Sequence, residues 1–410
     1  MSTTYQTPAR PALFTEGFLE DPFPVYRRFL SEGSIHHLDW GGGRNFWTVF
    51  GYSDVLSVLK DPALSARRMK ALLLPIPEGE RAQFGELARV MGQWLLFMDA
   101  PEHSRLRKLM NKGFAPAAIE LLRSQVETIV DRMLEPMRRA SEAELMHAIA
   151  HPLPVRIIAE LLGIPDTLQS QLVAWSDAIA IFSGNPQRTV EQTRAAQDAI
   201  LGLTAYFREI VAKRRLDKGS DLISLLLDIE EDGEVLTEDE LYAQCVMLLF
   251  AGHETTRNLI GNGMHSLLQH PREMEKLRDN PDLIRSGVEE LLRFDSPIQY
   301  LSRIVKEDTK LLGIELHAGD SVMTMIGAAN RDPARFEDPD VLNLSRPNNA
   351  HIAFGAGPHF CIGNQLARLE GQVSILRMAQ QFPNMRLAAE TPTHAPNFSF
   401  RGFKSLPVSL

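Results

Sequence analysis

The chain has 410 residues, 44% of them hydrophobic and 23% charged, and a formal net charge of −9. That composition is ordinary for a soluble globular protein, and the acidic balance argues against nucleic acid as a partner. Its two cysteines, Cys245 and Cys361, exclude a disulfide framework and fit a reducing cytoplasm. Residues 1–8 carry neither a basic nor an apolar stretch, so no signal peptide is expected. The densest apolar run, residues 246–252, is too short to span a bilayer, so no membrane association is expected.

The first strand signal is Phe-Trp-Thr-Val-Phe at residues 46–50. A helical period then predicts one helix over residues 118–137, with Ile119, Leu122, Val126, Ile129, Val130, Met133 and Leu134 on one side. Gly184-Asn185-Pro186 reads as a mobile loop tip. Thr237 and Glu240 form a capping box with Leu236 as a staple, which starts a helix that runs to His270, before Pro271. At ~1.5 Å per residue that helix is roughly 50 Å long. Further strand signals lie at residues 321–326 and 398–410. Many helices with few, scattered strands predict one mainly α (α+β) domain.

Three motifs carry chemistry. The first is Phe354-Gly355-Ala356-Gly357-Pro358-His359-Phe360-Cys361-Ile362-Gly363, followed by a helical pattern from Gln365. A cysteine before a helix start feels the positive end of the helix dipole, which favours the thiolate. A buried free cysteine after a glycine turn is the plain alternative. A hydrolytic nucleophile needs a partnered histidine, and His359, two residues away on a constrained loop, is expected to point elsewhere. Zinc needs three or four ligands, and no second Cys/His cluster supplies them. The glycine spacing is wrong for a dinucleotide loop. A single thiolate that suffices for its cofactor points to haem iron. The second motif, Ala251-Gly252-His253-Glu254-Thr255-Thr256, places glycine, acid and hydroxyls in mid-helix, where they are locally unfavourable and point to a kink, a water or a ligand. It begins like a zinc-protease helix, but Arg257 stands where the second histidine is needed. The third, Glu290-Leu291-Leu292-Arg293, pairs an acid and a base on one helix face, and alone would suit any solvated surface.

In this order and at these distances, the three motifs resemble the cytochrome P450 superfamily of haem-thiolate monooxygenases, in its soluble bacterial form. Residues 99–107 resemble its C-helix entrance, 329–339 its meander and 401–408 its final hairpin. The resemblance runs from about Asp21 to the end, which implies an N-terminal extension over 1–20 and a haem domain over 21–410. It implies haem b (iron protoporphyrin IX) with Cys361 as the axial thiolate, whose electron donation favours O–O cleavage. Phe354 would pack on the proximal face, with Gly363 closing the cysteine motif. His103, Arg107, Arg303 and His359 would bind the two propionates through charge-assisted bonds. Glu254 and Thr255 would deliver protons on the distal side, with Gly252 leaving room for dioxygen. Glu290, Arg293 and Arg346 would form a structural ion triad.

The resemblance further implies insertion of one oxygen atom from O2 into a mid-sized lipophilic molecule, by hydroxylation or epoxidation. No flavin- or iron–sulfur-binding segment is present in the sequence, so electrons would come from a separate ferredoxin and ferredoxin reductase. Arg105, Lys108 and Lys112 are candidates for docking the ferredoxin. Leu248, Ile298, Gln299, Tyr300, Phe398 and Phe400 are the candidate substrate pocket, with Gln299, Tyr300 and Asn397 orienting a polar group. A cytoplasmic monomer is expected. The competing readings are peroxide-driven oxidation, non-oxygenating oxidative chemistry on the same scaffold, and a haem-based sensor without turnover.

Overall fold

The structure, a computed structural model, describes residues 13–39, 45–165, 168–231 and 234–410. Its organising element is the helix Glu238–Gln269. The capping box is formed as expected: the Glu240 N–H donates to Thr237 Oγ1 at 3.2 Å, and the Thr237 N–H donates to Glu240 Oε2 at 2.9 Å. Buried side chains face every direction from Leu241 to Leu267, so this is a core helix and not a surface one. The helices Pro152–Leu161, Val190–Leu216, Gln169–Gly184, Ile284–Phe294 and Asn364–Gln381 pack around it. It ends at His270, and Pro271 opens the next helix, Pro271–Asp279. Among the described residues no helix is long and apolar enough to cross a membrane.

A five-stranded sheet flanks the helices in the order Ile35–Asp39, Asn45–Val49, Ser321–Thr324, Leu301–Val305, Leu64–Ser65. Only the contact of Ser321–Thr324 with Asn45–Val49 is parallel. Smaller two- and three-stranded sheets complete a single, mainly helical α+β domain. Residues 13–20, ahead of the expected boundary at 21, already pack on the fold. Phe18 is buried edge-on to Tyr26 and beside Phe398. Residues 1–12 lie outside the described residues.

Three expected elements come out differently. The helix expected over 118–137 is three pieces, Pro116–Glu120, Arg123–Leu134 and a 3-10 turn Glu135–Arg139. Pro136 has no N–H to continue the α pattern, and Leu121 points into solvent at the first break. The strand expected over 321–326 stops at Thr324, and Ile326–Ala329 turns into a short helix. The C-terminal strand is two short ones, Phe403–Ser405 and Pro407–Ser409, with a bridge between Ile298 and Phe400 ahead of them.

Beneath the central helix, Glu290, fully buried, gathers the chain. Arg293 reaches its two oxygens at 2.8 and 2.9 Å, and Arg346 Nε at 3.0 and 3.1 Å. The Asn343 N–H and Asn349 Nδ2 add bonds of 3.0 and 3.1 Å. The remaining guanidinium protons go to the carbonyls of Asn330, Glu337, Asp338, Pro339 and Val341. One carboxylate thus gathers two arginines and five carbonyls of the irregular segment 330–349, which Glu273 and Tyr52 also tie to the fold. Removing one partner of such a set leaves buried charge uncompensated. Glu290→Ala is expected to destabilise the protein by about 3–5 kcal/mol, read as a lowered denaturation midpoint in urea; a loss under ~1 kcal/mol would mean the triad is dispensable.

Candidate active site

The cysteine loop owes its shape to Gly355 and Gly357, at φ +72° and +69°. A Cβ on Gly357 would also lie 3.1 Å from the Leu59 carbonyl. The Cys361 N–H donates to the Phe354 carbonyl at 2.9 Å, and Asn364 Nδ2 donates to the Cys361 carbonyl at 2.7 Å. The helix Asn364–Gln381 follows at once. Burial pushes the Cys361 thiol above its ordinary value, and the Gly363 N–H, Arg107 and Arg368 draw it back only in part. Burial of the sulfur thus opposes the thiolate that a helix start favours. A coordinated metal ion would stabilise it.

Phe354 lies under the Arg368 guanidinium, 4.4 Å from its ring centroid, and Arg368 makes two bonds to Glu289, of 2.6 and 2.9 Å. His351 Nε2 is 3.0 Å from the same carboxylate. Burial alone would raise Glu289, but His351 and Arg368 hold it at about 2. Sequence reasoning missed this set. Its signal was the doubled acid Glu289-Glu290.

Above the sulfur opens a cavity of about 910 Å³. His103 and Arg107 reach it from the helix Glu102–Asn111, Arg303 from its strand, and His359 from the cysteine loop. Arg68 joins them, a residue the sequence reading did not single out. The His103 and His359 rings stand 4.1 Å apart, and His103 Nε2 is buried without a partner. Among the described residues Arg68 donates to the carbonyls of Ala66 and Leu96 and Arg303 to that of Ser302, and neither forms an ion pair. Burial lowers Arg68 to about 9 and Arg303 to about 10, and His359 to about 3 with help from the neighbouring cations. Asp99 is the acid that acts on His103 and Arg303, yet it already accepts from Ser65 Oγ and the Ala66 N–H. These groups repel one another and have donors to spare. They suit a ligand that brings two carboxylates, so rim and sulfur together fit a haem.

On the opposite wall the central helix stays unbroken through Gly252, Glu254 and Thr255, all of which line the cavity. A Cβ on Gly252 would face Ile158 at 3.4 Å, an ordinary packing distance, so contact with that helix does not require the glycine. The Thr255 hydroxyl donates to the Ala251 carbonyl at 2.9 Å. Glu254 is 1% exposed, and its Oε2 has no partner. Burial raises it from its ordinary 4.5 to about 7, although Arg257 opposes this. Arg257 bridges Glu254 at 3.3 Å and the half-exposed Asp177 at 2.9 Å. His253, Asp177 and Glu254 bring ligand atoms within 4.8 Å of one another, but that guanidinium already bridges the two carboxylates.

Among the expected pocket residues, Leu248, Ile298, Tyr300 and Phe400 line the cavity. Gln299 and Phe398 do not, which corrects the expectation. The chain is extended here, so neighbours alternate sides. Gln299 accepts from Tyr26 at 2.5 Å and donates to the Ser296 carbonyl at 2.6 Å. Phe398 packs on Phe14 and Phe18. Asn397 binds the Ala180 carbonyl at 2.9 Å and folds its own turn. Gly184 is anchored: its carbonyl accepts from the Ser399 N–H at 3.1 Å and the Tyr300 hydroxyl at 3.2 Å.

A cysteine under a cationic rim, faced across an apolar chamber by an acid and a hydroxyl, defines a haem-thiolate protein. Comparison with known proteins agrees, and the chain belongs to the cytochrome P450 family, whose profile matches residues 150–397. It is 38% identical to the polyketide biosynthesis cytochrome P450 PksS of Bacillus subtilis, over 96% of each chain. It is 36% identical to the cytochrome P450 monooxygenase PikC of Streptomyces venezuelae, over 96% of this chain and 92% of that one. Among solved structures it is similar to P450BioI in complex with a hexadec-9Z-enoic acid-ligated acyl carrier protein. That match has a TM-score of 0.88 and 35% identity, and covers 97% of this chain and 100% of the other. The protein is a P450 enzyme of the monooxygenase class.

Glu254 gives a pH signature. The folded chain keeps its proton up to about pH 7, while the unfolded chain releases it near 4.5. The folded state binds more protons in that window, so this group makes stability fall as pH rises through it, by up to about 1.4 kcal/mol per pH unit. Glu254→Gln should remove that slope and gain stability relative to wild type at pH 8, as read from melting curves at pH 5, 6, 7 and 8. Parallel curves for the two proteins would refute the raised value.

Proposed function

We propose that the chain holds haem b with Cys361 as its axial ligand and inserts one oxygen atom from O2 into a mid-sized lipophilic substrate. The observation that carries this reading is the convergence of Cys361, the unpaired cations and the Glu254–Thr255 pair on one cavity. Bound haem supplies the iron at which dioxygen is activated. His103, Arg107, Arg303, His359 and Arg68 would hold its carboxylates, and Phe354 would pack beside the sulfur. Glu254, near neutrality in its titration, can take up and give back a proton at working pH. Arg257 connects it to Asp177, which reaches solvent. The Thr255 hydroxyl oxygen keeps lone pairs for a water in the chamber. The walls, Leu248, Phe250, Ile298 and Phe400 among them, exclude bulk water and favour an apolar guest. PksS is named for polyketide biosynthesis, and P450BioI was solved with an acyl chain on its carrier; both suit a lipophilic substrate here.

Electrons would come from a separate ferredoxin and its reductase. Lys108 and Lys112, exposed beside the cavity-lining Arg107, suit an acidic partner. Arg105 is drawn the other way, into pairs with Glu240 and Glu234.

Two outcomes test this function. The reduced, carbon monoxide-bound protein should show a thiolate-type Soret band, and Cys361→His should lose it; a histidine-type spectrum in fresh wild type would overturn the assignment. Lys108→Glu with Lys112→Glu should slow reduction by ferredoxin about tenfold at low salt and less at high salt; unchanged rates would remove this docking face.

A further inference from the structure

Arg188 is a cavity charge that belongs neither to the rim around the cysteine nor to the proton-carrying wall. Arg188 lies in the connection between the helices Gln169–Gly184 and Val190–Leu216. It is 7% exposed and lines the cavity. Its guanidinium donates to the carbonyl of Leu72 and, at 2.6 Å, to that of Asn185. Its Nε–H is buried with no acceptor. Among the described residues no carboxylate forms an ion pair with it; the one anionisable group acting on it is the Tyr300 phenol. Burial lowers it to about 10, so it stays a cation at neutral pH. The Phe182 ring lies 5.1 Å beneath the guanidinium. Tyr300 lines the same cavity, with its hydroxyl directed to the Gly184 carbonyl. Arg81, a second lining cation, grips the same wall segment through the carbonyls of Leu74 and Ile76.

A buried cation with a spare donor is costly in apolar surroundings unless an anion joins it. Two backbone carbonyls satisfy its shape but not its charge. A neutral guest would leave that charge uncompensated and would shut it away further from water.

We propose that Arg188 anchors the carboxylate of the substrate, and that the chamber takes a free long-chain acid, head at Arg188 and tail along Leu72, Leu248 and Phe400. This rests on the chamber being the substrate site of the proposed function. It commits to an ionised acid: an acyl chain carried as a thioester has no free carboxylate and gains nothing from Arg188. A planar, bidentate guanidinium suits a carboxylate, and charge-assisted bonds at a buried site are strong enough to dominate selection between acid and ester.

The test is calorimetric binding of dodecanoate and of methyl dodecanoate to the haem-loaded protein at pH 8, for wild type, Arg188→Gln and Arg188→Lys. Wild type should prefer the acid at least about tenfold. Arg188→Gln should weaken the acid at least about tenfold and the ester less than about threefold, and Arg188→Lys should keep most of the preference. Equal losses of acid and ester in Arg188→Gln would make Arg188 a structural clamp and overturn the proposal. A wild type without acid preference would overturn it as well. Melting curves establish that the variants fold; if Arg188→Gln does not, the wild-type preference and its retention in Arg188→Lys decide. The carbon monoxide spectrum of each sample separates the two levels. A histidine-type spectrum sinks the proposed function, whereas a thiolate spectrum without acid preference sinks only the anchor.

Discussion

The buried carboxylate of Glu290 is the constraint on which the cysteine side of the molecule depends. Residues 330–363 contain almost no regular secondary structure, and scattered turn hydrogen bonds, not a continuous ladder, join their backbone groups. They are held from outside, by two consecutive acids on the helix Ile284–Phe294. Glu290 collects Arg293 and Arg346, whose remaining protons cap five carbonyls of the irregular segment. Glu289, one position earlier, binds His351 and Arg368, and Arg368 presses on Phe354 at the start of the cysteine loop. One turn of helix thereby sets both the path of the loop and the height of Cys361 relative to the central helix. Buried ion sets of this kind are weak devices for raw stability but strong ones for fixing a single geometry, and a metal ligand needs the latter.

Around the cavity the logic reverses. Among the described residues His103 Nε2, Glu254 Oε2 and Arg188 Nε have no hydrogen-bond partner, and the guanidiniums of Arg68, Arg303 and Arg188 donate to backbone carbonyls without a carboxylate ion pair. A low-dielectric chamber makes each of these expensive. The surrounding core, built around the long helix Glu238–Gln269, supplies the stability that lets them persist. Local violations of the burial rule thus mark where the function sits. Cations ring the cysteine side, where the buried Glu370 of the helix Asn364–Gln381 also lines the cavity, and Glu254 lies on the central-helix wall; burial raises both acids above the usual carboxylate range.

Much of this was legible in the chain. Thr237 and Glu240 announced the central helix, because a capping box is a local interaction between neighbours in sequence. The mainly helical class followed from periodicity, and the cysteine motif, Glu254-Thr255 and Glu290-Arg293 are short enough to read directly. What escaped was long-range or directional. Glu289 meets His351 and Arg368 across 62 and 79 positions, and no pattern links them. Arg68 and Arg188 look like surface cations until the fold closes over them. Gln299 was placed in the pocket with its neighbours, although alternation along an extended chain puts Ile298 and Tyr300 on one side and Gln299 on the other. Phe398 fails for another reason: Asn397 folds a turn that breaks the alternation with Phe400. The helix expected over 118–137 was overextended because apolar spacing continued past Pro136, where the backbone could not.

The anchored carbonyl of Gly184 has a consequence for traffic. With Ser399 and Tyr300 both donating to it, and Asn397 tied to Ala180, the end of the helix Gln169–Gly184 is cross-linked to the C-terminal turn. A guest entering between residues 185–189 and the wall at 72–76 would instead have to part the bond of Arg188 to the Leu72 carbonyl. A clasp made of one guanidinium on a carbonyl opens without exposing a core. Admission and departure would then be paced by the breaking of a polar contact, and the chamber could exchange its contents quickly while the floor beneath Cys361 stays rigid.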